Sequence, residues 1–419
     1  MTNLSVPAPE STEAKNIHHL VMDIFWFGLA FPTTSRFLAT YALRVDASAQ
    51  QIGWLTAVPS LVLLFATLLS NRWRLRYPNA TRAVILPGLG HRMVFLLPVF
   101  TPLFPHDWQP IWLILSATLP ALSQGIASVV FLVMLREAVS IEKITLLISR
   151  RNFAFNVALG GSTIALGIWL TKAPFPWNYQ IVFLLAFVLA LVSLWHVKQT
   201  QSVYNMPASP QPISIKSAWR NSDFRAVTQI TVLVHLAVFF VPPLIPIYLM
   251  DTLGRSEDFV ALFSFVELAG AASIAMFMPQ ITHRIGNARL LPLGMFGMAV
   301  SVLMIGFSPA VMPILLGAAL GGVFWTMEGV SLFSYFSEKT PSDQVMDYTK
   351  MYNQAAFLSM FIAPLLSTQL VEMRVDVVPV LLLGVGIRVV AGWFIRHIGD
   401  PTERAEKMKQ ELVVVGSHR

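Results

Sequence analysis

The sequence predicts an all-α membrane protein in which twelve transmembrane helices form two six-helix bundles. Three observations support this fold class: a low content of charge, a series of long apolar segments, and a regular alternation of basic links. Hydrophobic residues make up 55% of the 419-residue chain and charged residues 12%, against about 25% in soluble domains. The mean hydropathy is +0.64. Such a chain has too little charge to cover a water-exposed surface.

Twelve segments are long and apolar enough to cross a membrane. A helix needs roughly 20 apolar residues to span about 30 Å of hydrocarbon. Continuous apolar runs favour helices over a β-barrel, whose strands alternate apolar and polar residues. The predicted spans lie near 19–43, 52–70, 82–103, 110–134, 152–171, 178–197, 226–249, 258–281, 289–308, 311–335, 352–371 and 377–398.

Basic residues mark one side of the membrane. Of the 29 Lys and Arg, four lie in links after odd-numbered spans, and three (Arg36, Arg92 and Arg388) lie within spans. The other 22 lie in links after even-numbered spans or in the tails. Because basic loops stay in the cytoplasm, we expect both termini there, in a bacterial plasma (inner) membrane.

Several classes of function are not expected. The chain has no Cys, which excludes disulfides and thiolate metal sites, and we expect neither a metal nor a cofactor. Basic residues spread over short links are not typical of nucleic-acid binding. The chain has no paired acid–base constellation, no His/Asp cluster with metal-ligand spacing and no G-x-x-x-x-G-K-[ST] loop, so neither an enzyme nor ATP drive is indicated.

The chain divides into two halves. Residues 198–225 form the longest polar stretch and read as a cytoplasmic linker rich in Ser, Pro and Gln. A disordered tail (1–16) without signal-peptide features, two bundles (17–197 and 226–398) and a cytoplasmic tail (399–419) complete the predicted organisation. An offset of 201 aligns Glu137 with Glu338 after spans four and ten, which indicates a repeat. Repeated six-span halves are a transporter architecture.

The link after span eight carries a motif. It runs from Pro279 to Arg289, "PQITHRIGNAR", and the link after span two carries a poorer copy around Asn71 and Arg72. These links resemble the G-x-x-x-D-R-x-G-x-x-R signature of the major facilitator superfamily, with Arg284, Gly286 and Arg289 matching. His283 stands at the Asp position, and Pro279 at the first Gly. The resemblance covers roughly residues 19–398.

This resemblance implies a secondary transporter that works by alternating access, with spans 1, 4, 7 and 10 lining a central cavity. Deep carboxylates favour proton coupling, and the many Phe, Trp and Met residues favour an exporter of amphipathic compounds. Span five has the glycine pair of the drug–proton antiporter motif without its Gly-Pro. The alternative is a non-transporting sensor, scaffold or assembly factor of the same fold. The expected partners are a small molecule, protons and lipid, and we expect a monomer.

Ionisable residues inside spans are the leading site candidates, because charges in hydrocarbon are costly and face a cavity or a partner. Arg36 is interpreted as a substrate-binding residue or a structural pair, and Asp23 as a site residue or a helix-start carboxylate. His235 has a coupling or a packing role. Glu267 and Glu328 bind substrate or protons, or form salt bridges to Arg36, Arg92 or Arg388.

Uncharged polar residues extend the predicted path, with helix–helix packing as the alternative. They are Gln124 in span four, Asn156 in span five, and Trp325 and Ser331 in span ten. Ser331 lies three residues after Glu328, on the same helix face. The motif residues Arg72, Arg284, Gly286 and Arg289 are predicted to act in gating or only to set topology.

Overall fold

The computed structural model describes residues 9–204, 219–340 and 345–399, almost all of them in helices. The α-helices are α1 (Pro9–Ala30), α2 (Pro32–Ser35), α3 (Leu38–Arg44), α4 (Ala49–Arg74), α5 (Ala80–Leu96), α6 (Gln109–Ala138), α7 (Ile141–Lys172), α8 (Trp177–Gln199), α9 (Ser222–Phe239), α10 (Leu244–Pro246), α11 (Glu257–Ala275), α12 (Met278–Ile285), α13 (Asn287–Phe307), α14 (Val311–Lys339), α15 (Val345–Glu372) and α16 (Val377–Gly399). Two 3₁₀ segments, Leu97–Leu103 and His106–Trp108, and a π-helical segment, Ile247–Thr252, join some of them.

Eleven helical segments within these described ranges are long and apolar enough to cross a membrane. They correspond to the second to twelfth predicted spans. The first predicted span, 19–43, is broken into α1, α2 and α3. Pro32 begins α2 and cannot donate a backbone hydrogen bond, and the Thr33 hydroxyl donates to the carbonyl of Ala30. The break leaves Arg36 at the end of α2.

The described residues form two units. The first contains the described residues within Met1–Gln211, together with Phe239–Leu268 and Phe357–Val380. The second contains those within Pro212–Val238, Ala269–Ala356 and Leu381–Arg419. The division into bundles at 17–197 and 226–398 therefore stays a prediction based on the repeat.

Small residues allow close helix contacts in each unit. In the first, Gly125 of α6 faces Ala66 of α4 so closely that a Cβ on the glycine would lie 2.5 Å from the Ala66 Cβ. In the second, a Cβ on Gly297 of α13 would collide with the ring of Phe324 on α14. Such contacts are typical of membrane helices, where van der Waals packing replaces the hydrophobic effect between helices.

The N-terminal segment differs from its prediction. Residues 9–16 belong to α1, so the predicted disordered tail is wrong for this part, while 1–8 lie outside the described residues. Glu13 accepts hydrogen bonds from the Ser140 backbone nitrogen (2.5 Å) and Lys143 Nζ (2.6 Å). Burial alone would raise the pKa of Glu13, but these bonds outweigh it and hold the pKa below its ordinary value of 4.5. Asn16 donates to the carbonyls of Ala138 and Gln201.

The start of the predicted linker is also bound. The backbone nitrogens of Val203 and Tyr204 both donate to the Glu137 carbonyl at 2.8 Å, and that of Gln201 donates to Asn16. Residues 205–218 and the predicted tail beyond Gly399 lie outside the described residues.

Candidate functional site

Arg36 and Glu267, 231 positions apart in the chain, form an ion pair in the first unit. Arg36 Nη1 donates to Glu267 Oε2 at 2.6 Å. Both side chains are about one quarter exposed, at 26% and 27%. Arg36 Nε is buried and has no hydrogen-bond partner among the described residues. The pairing interpretation of Glu267 is thus observed, whereas a role of either residue in substrate binding stays a prediction.

The break in the first span surrounds Arg36. The Phe31 carbonyl accepts from the backbone nitrogens of Thr34 and Ser35, and the hydroxyls of both residues also donate to it. Phe31 packs against Phe155 of α7, with ring centroids 5.6 Å apart. The Arg36 guanidinium therefore belongs to an unwound turn, and a half-buried aromatic pair joins this break to α7. Transporter binding sites are typically formed by such discontinuous helices.

A second arginine pair in the same unit has a different geometry. Arg44 donates from Nε and Nη2 to the two oxygens of Glu257, at 2.6 and 2.8 Å. Glu257 is 1% exposed and also accepts from the Tyr179 hydroxyl at 3.1 Å. Tyr179 stacks on Tyr41, with centroids 4.3 Å apart. This pair is saturated and structural, in contrast to the single bond of Arg36.

Asp23 is buried at the junction of four helices. Its Oδ2 accepts a hydrogen bond from Arg151 Nη1 at 3.1 Å. Its Oδ1 accepts one from the Ser193 hydroxyl at 2.7 Å, and the same oxygen lies 3.7 Å from Arg92 Nη2. The helix-start interpretation is wrong, because α1 begins at Pro9 and Asp23 lies in its interior. Arg92 has the structural role expected of it. Arg151, predicted to lie in a cytoplasmic link, is 8% exposed in this network.

Glu328 lies on the buried face of α14 in the second unit. It is 5% exposed, and its Oε1 has no hydrogen-bond partner among the described residues. Gly294 of α13 permits this burial, since a Cβ on it would lie 3.0 Å from the Glu328 Cβ. Ser331 is fully buried, and its hydroxyl is likewise unpartnered within the described ranges. The expected salt bridge of Glu328 is not among the described ion pairs.

Tyr352 and His235 lie on the same side of the second unit. The Tyr352 ring contacts His235 edge-on at 6.2 Å and Phe336 at 4.8 Å. The His235 Nδ1 lies 2.8 Å from the Thr231 carbonyl. Tyr352 was missed in the sequence, because a lone tyrosine in an apolar run carries no pattern.

Arg388 is buried in the second unit without a carboxylate partner in the described part of the chain. Its Nη1 donates to the Gly384 carbonyl and its Nη2 to the Val238 carbonyl, both at 3.1 Å. Backbone carbonyls of two helices thus accept hydrogen bonds from the guanidinium group. This agrees with its predicted structural role.

The remaining uncharged candidates are scattered. Gln124 is half-buried in α6. Asn156 is exposed and donates to the Asn152 carbonyl one turn earlier. Trp325 is 43% exposed and lies one turn before Glu328 in α14. Their part in a substrate path stays a prediction. Within the described ranges, no three His, Asp or Glu side chains are arranged to hold a metal ion.

The sequence of residues 20–364 matches the family described as the Major Facilitator Superfamily. This match covers most of the chain. The chain belongs to the Major Facilitator Superfamily. It is therefore a secondary transporter of small molecules with the superfamily fold, and not an enzyme. No curated protein sequence matches it.

Solved structures of superfamily transporters share this fold. The nucleoside transporter NupG is 10% identical, with a TM-score of 0.68 over 92% of this chain and 98% of that one. The xylose transporter XylE from E. coli, in a partially occluded inward open conformation, is 11% identical, with a TM-score of 0.70 over 92% and 97%. A bacterial homologue of the iron transporter ferroportin is 13% identical, with a TM-score of 0.69 over 91% and 99%. At these identities the likeness establishes the fold alone.

The superfamily motif after the eighth span comprises most of α12, the turn at Gly286 and the first residues of α13. Gly286 has φ of +83° and ψ of +146°, a conformation that residues with a Cβ rarely adopt, and this explains the tight turn. Arg284 and Arg289 are exposed, as is Arg72 in the first copy. Their gating role stays a prediction.

The contacts of the turn between α4 and α5 involve residues that sequence reasoning did not select. Glu137 is 2% exposed and accepts from Arg74 Nη2 at 2.5 Å and from the Ala80 nitrogen, at the start of α5, at 2.8 Å. The equivalent Glu338 accepts from Asn287, at the start of α13, at 2.6 Å. The alignment of Glu137 with Glu338 was the signal that could have identified this pair of contacts.

Proposed function

We propose that this superfamily member is a proton-coupled transporter of amphipathic small molecules, and that the Glu328 carboxyl carries the proton. The observation that supports this most is the burial of Glu328 with an unpartnered Oε1. None of the ion pairs among the described residues includes Glu328.

An ionised carboxylate in this position would be costly, since neither water nor a cation compensates the charge. The neutral acid is the stable form while the group is buried. A conformational change that admits water would let the proton leave, and return of the helix to the buried state would require a proton again. Alternating access would thereby couple conformational change to proton movement.

The amphipathic cargo and the direction rest on composition. The 29 Phe, 18 Met and 11 Trp residues suit an apolar path, and together with a deep carboxylate they favour an exporter. We also propose that both termini face the cytoplasm of a bacterial plasma membrane. Because the chain has no Cys, a single cysteine at Ser202 tests this orientation directly. It should react with a membrane-impermeant maleimide only after permeabilisation.

The proton role of Glu328 is tested by infrared spectroscopy and by proton flux. In purified protein, the absorption of a buried protonated carboxyl group should be present and should disappear in Glu328→Gln. In proteoliposomes loaded with pyranine, addition of 1-naphthoate, 1-naphthamide or 1-naphthylmethylamine should cause a protein-dependent proton movement for at least one compound. Glu328→Gln should abolish that movement.

The matched control is Glu338→Gln, which removes an exposed carboxylate from the same helix. It should leave both the infrared signal and the proton movement intact. A Glu328→Gln protein that keeps the carboxyl absorption, or that moves protons like the parent, would refute the proposal.

A further inference from the structure

Arg36 has hydrogen-bonding capacity that the protein does not use. A guanidinium carries five N–H donors, and among the described residues Arg36 donates one hydrogen bond, to Glu267. Its Nε is buried without an acceptor. A buried donor without a partner is unfavourable, so a ligand that supplies an acceptor to this atom would be stabilised.

Comparison with Arg44 shows what a satisfied arginine looks like in the same unit. Arg44 makes two parallel bonds to both oxygens of Glu257, which is itself almost fully buried. Arg36 makes one bond to one oxygen of a carboxylate that is 27% exposed. Bidentate pairs are the stronger and more specific arrangement. The Arg36–Glu267 pair is thus the weaker of the two, and its carboxylate is more accessible than that of the Arg44–Glu257 pair.

The unpaired atom is a hydrogen-bond donor of a cationic group, and this favours an anionic ligand. No Glu267 oxygen is among the buried unpartnered atoms, whereas the Arg36 Nε is. A cationic ligand would compete with Arg36 for Glu267 and would leave the guanidinium with even fewer acceptors. An oxyanion that replaces Glu267 could accept from two guanidinium nitrogens, in the geometry that Arg44 already shows.

The neighbourhood supplies an apolar counterpart to the charge. Phe31 and Phe155 form a half-buried aromatic pair at the same break. Phe265, two residues before Glu267, is 42% exposed and packs against α7 at Gly160. Ser35, next to Arg36, is exposed, which provides access from one side.

We infer that Arg36 binds the oxyanion head of an amphipathic organic anion, and that this head group displaces Glu267 from the guanidinium. The inference rests on the proposed function, because it takes Arg36 to face the transported molecule. It adds the substrate class, an aromatic or aliphatic compound with a carboxylate or similar head group. Glu267 then acts as an intramolecular competitor that pairs with Arg36 when the substrate is absent.

The absence of cysteine permits a direct occupancy assay. A single cysteine at Ser35 is labelled with a maleimide in the presence of benzoate, 1-naphthoate or decanoate, and in the presence of the matching primary amides. At least one carboxylate should slow labelling, and its amide should not. Arg36→Gln should weaken this protection by about tenfold or more, whereas Arg44→Gln should keep it.

Glu267→Gln provides the second test, in case Arg36→Gln fails to fold. Because it removes the competing carboxylate, it should strengthen protection by the anion. The inference is overturned if an amide protects as well as its acid, if protection survives Arg36→Gln, if Glu267→Gln abolishes it, or if no carboxylate protects. The two proposals have separate readouts: the infrared signal and the proton movement test Glu328, and the labelling protection tests Arg36, so the proton role can fail while the anion site stands.

Discussion

Arg44 and Glu257 are joined by two hydrogen bonds, from Nε to Oε1 at 2.6 Å and from Nη2 to Oε2 at 2.8 Å. The pair joins the end of α3 to the start of α11, 213 positions later in the chain. The carboxylate is nearly inaccessible, while the arginine side chain is 47% exposed. The pair is therefore anchored on the carboxylate side, and Tyr179 supplies a third donor to it.

Replacing Glu257 with Gln should destabilise the protein by about 1–3 kcal/mol, because buried donors of Arg44 and Tyr179 lose their charged acceptor. The exposed part of Arg44 can recover water, which keeps the loss at the lower end of this range. The measurement is the apparent melting temperature in detergent. Asp258→Asn, at the exposed neighbouring position, should change it little, and an equal loss in both variants would contradict the structural role of the pair.

Asp23→Asn should be among the most destabilising single changes in the first unit. It removes the carboxylate that faces Arg92 and Arg151, and it leaves two buried guanidinium groups without compensation. Breaking one side of a buried ion pair costs about 3–5 kcal/mol. The double variant Asp23→Asn/Arg151→Met should recover part of the loss of melting temperature. Asp107→Asn at an exposed turn is the control, and no recovery in the double variant would argue against the network.

The two equivalent glutamates at the C-terminal ends of α6 and α14 should differ in importance. Glu137→Gln weakens the ion pair with Arg74 and the acceptor for the Ala80 nitrogen in a buried setting, so we expect a loss of about 1–3 kcal/mol. Glu338→Gln affects an exposed contact with Asn287 and should cost less than about 0.5 kcal/mol. Thermal unfolding of both variants decides this, and a larger effect at Glu338 would contradict the expected order.

Glu13 should make stability depend on pH in the acidic range. Its folded-state pKa lies below the ordinary value of 4.5. The ionised group therefore stabilises the folded state at pH values above 4.5, and this contribution is lost as the pH falls through the folded-state pKa. Melting temperatures measured from about pH 7 downward should fall less steeply for Glu13→Gln than for the parent. Identical slopes would mean that Lys143 and Ser140 contribute nothing through Glu13.

Gly286→Ala should strain the turn between α12 and α13. A residue with a Cβ pays about 1–3 kcal/mol in this region of backbone conformation. We expect a lower melting temperature and an altered reactivity of a cysteine placed one turn before Gly286, at Thr282→Cys in α12. Gly329→Ala is a suitable control, because a Cβ there meets no atom within 4 Å and the residue lies within a helix. Equal stability of Gly286→Ala and the parent would count against strain at this position.

Sequence reasoning predicted the fold well and the site contacts only in part. The superfamily and the helical membrane class were expected from composition, spacing and motif, and they are found. The ion pair of Glu267 with Arg36 was expected only as an alternative to a binding role, with Arg92 and Arg388 as other possible partners. The buried position of Arg151 was not expected at all, because a basic residue beside another arginine after an apolar run reads as a cytoplasmic loop.

The sequence by itself determined the helical membrane class and the membership of a transporter family. These depend on sums along the chain: apolar length per segment and spacing within short motifs. Only the tertiary structure decided which charged side chains form ion pairs with each other. Arg36 reaches Glu267 across 231 positions and Arg151 reaches Asp23 across 128, while Glu328 has no ion-pair partner among the described residues. Such pairings depend on how distant helices pack and rotate against each other, and no local pattern of residues specifies that.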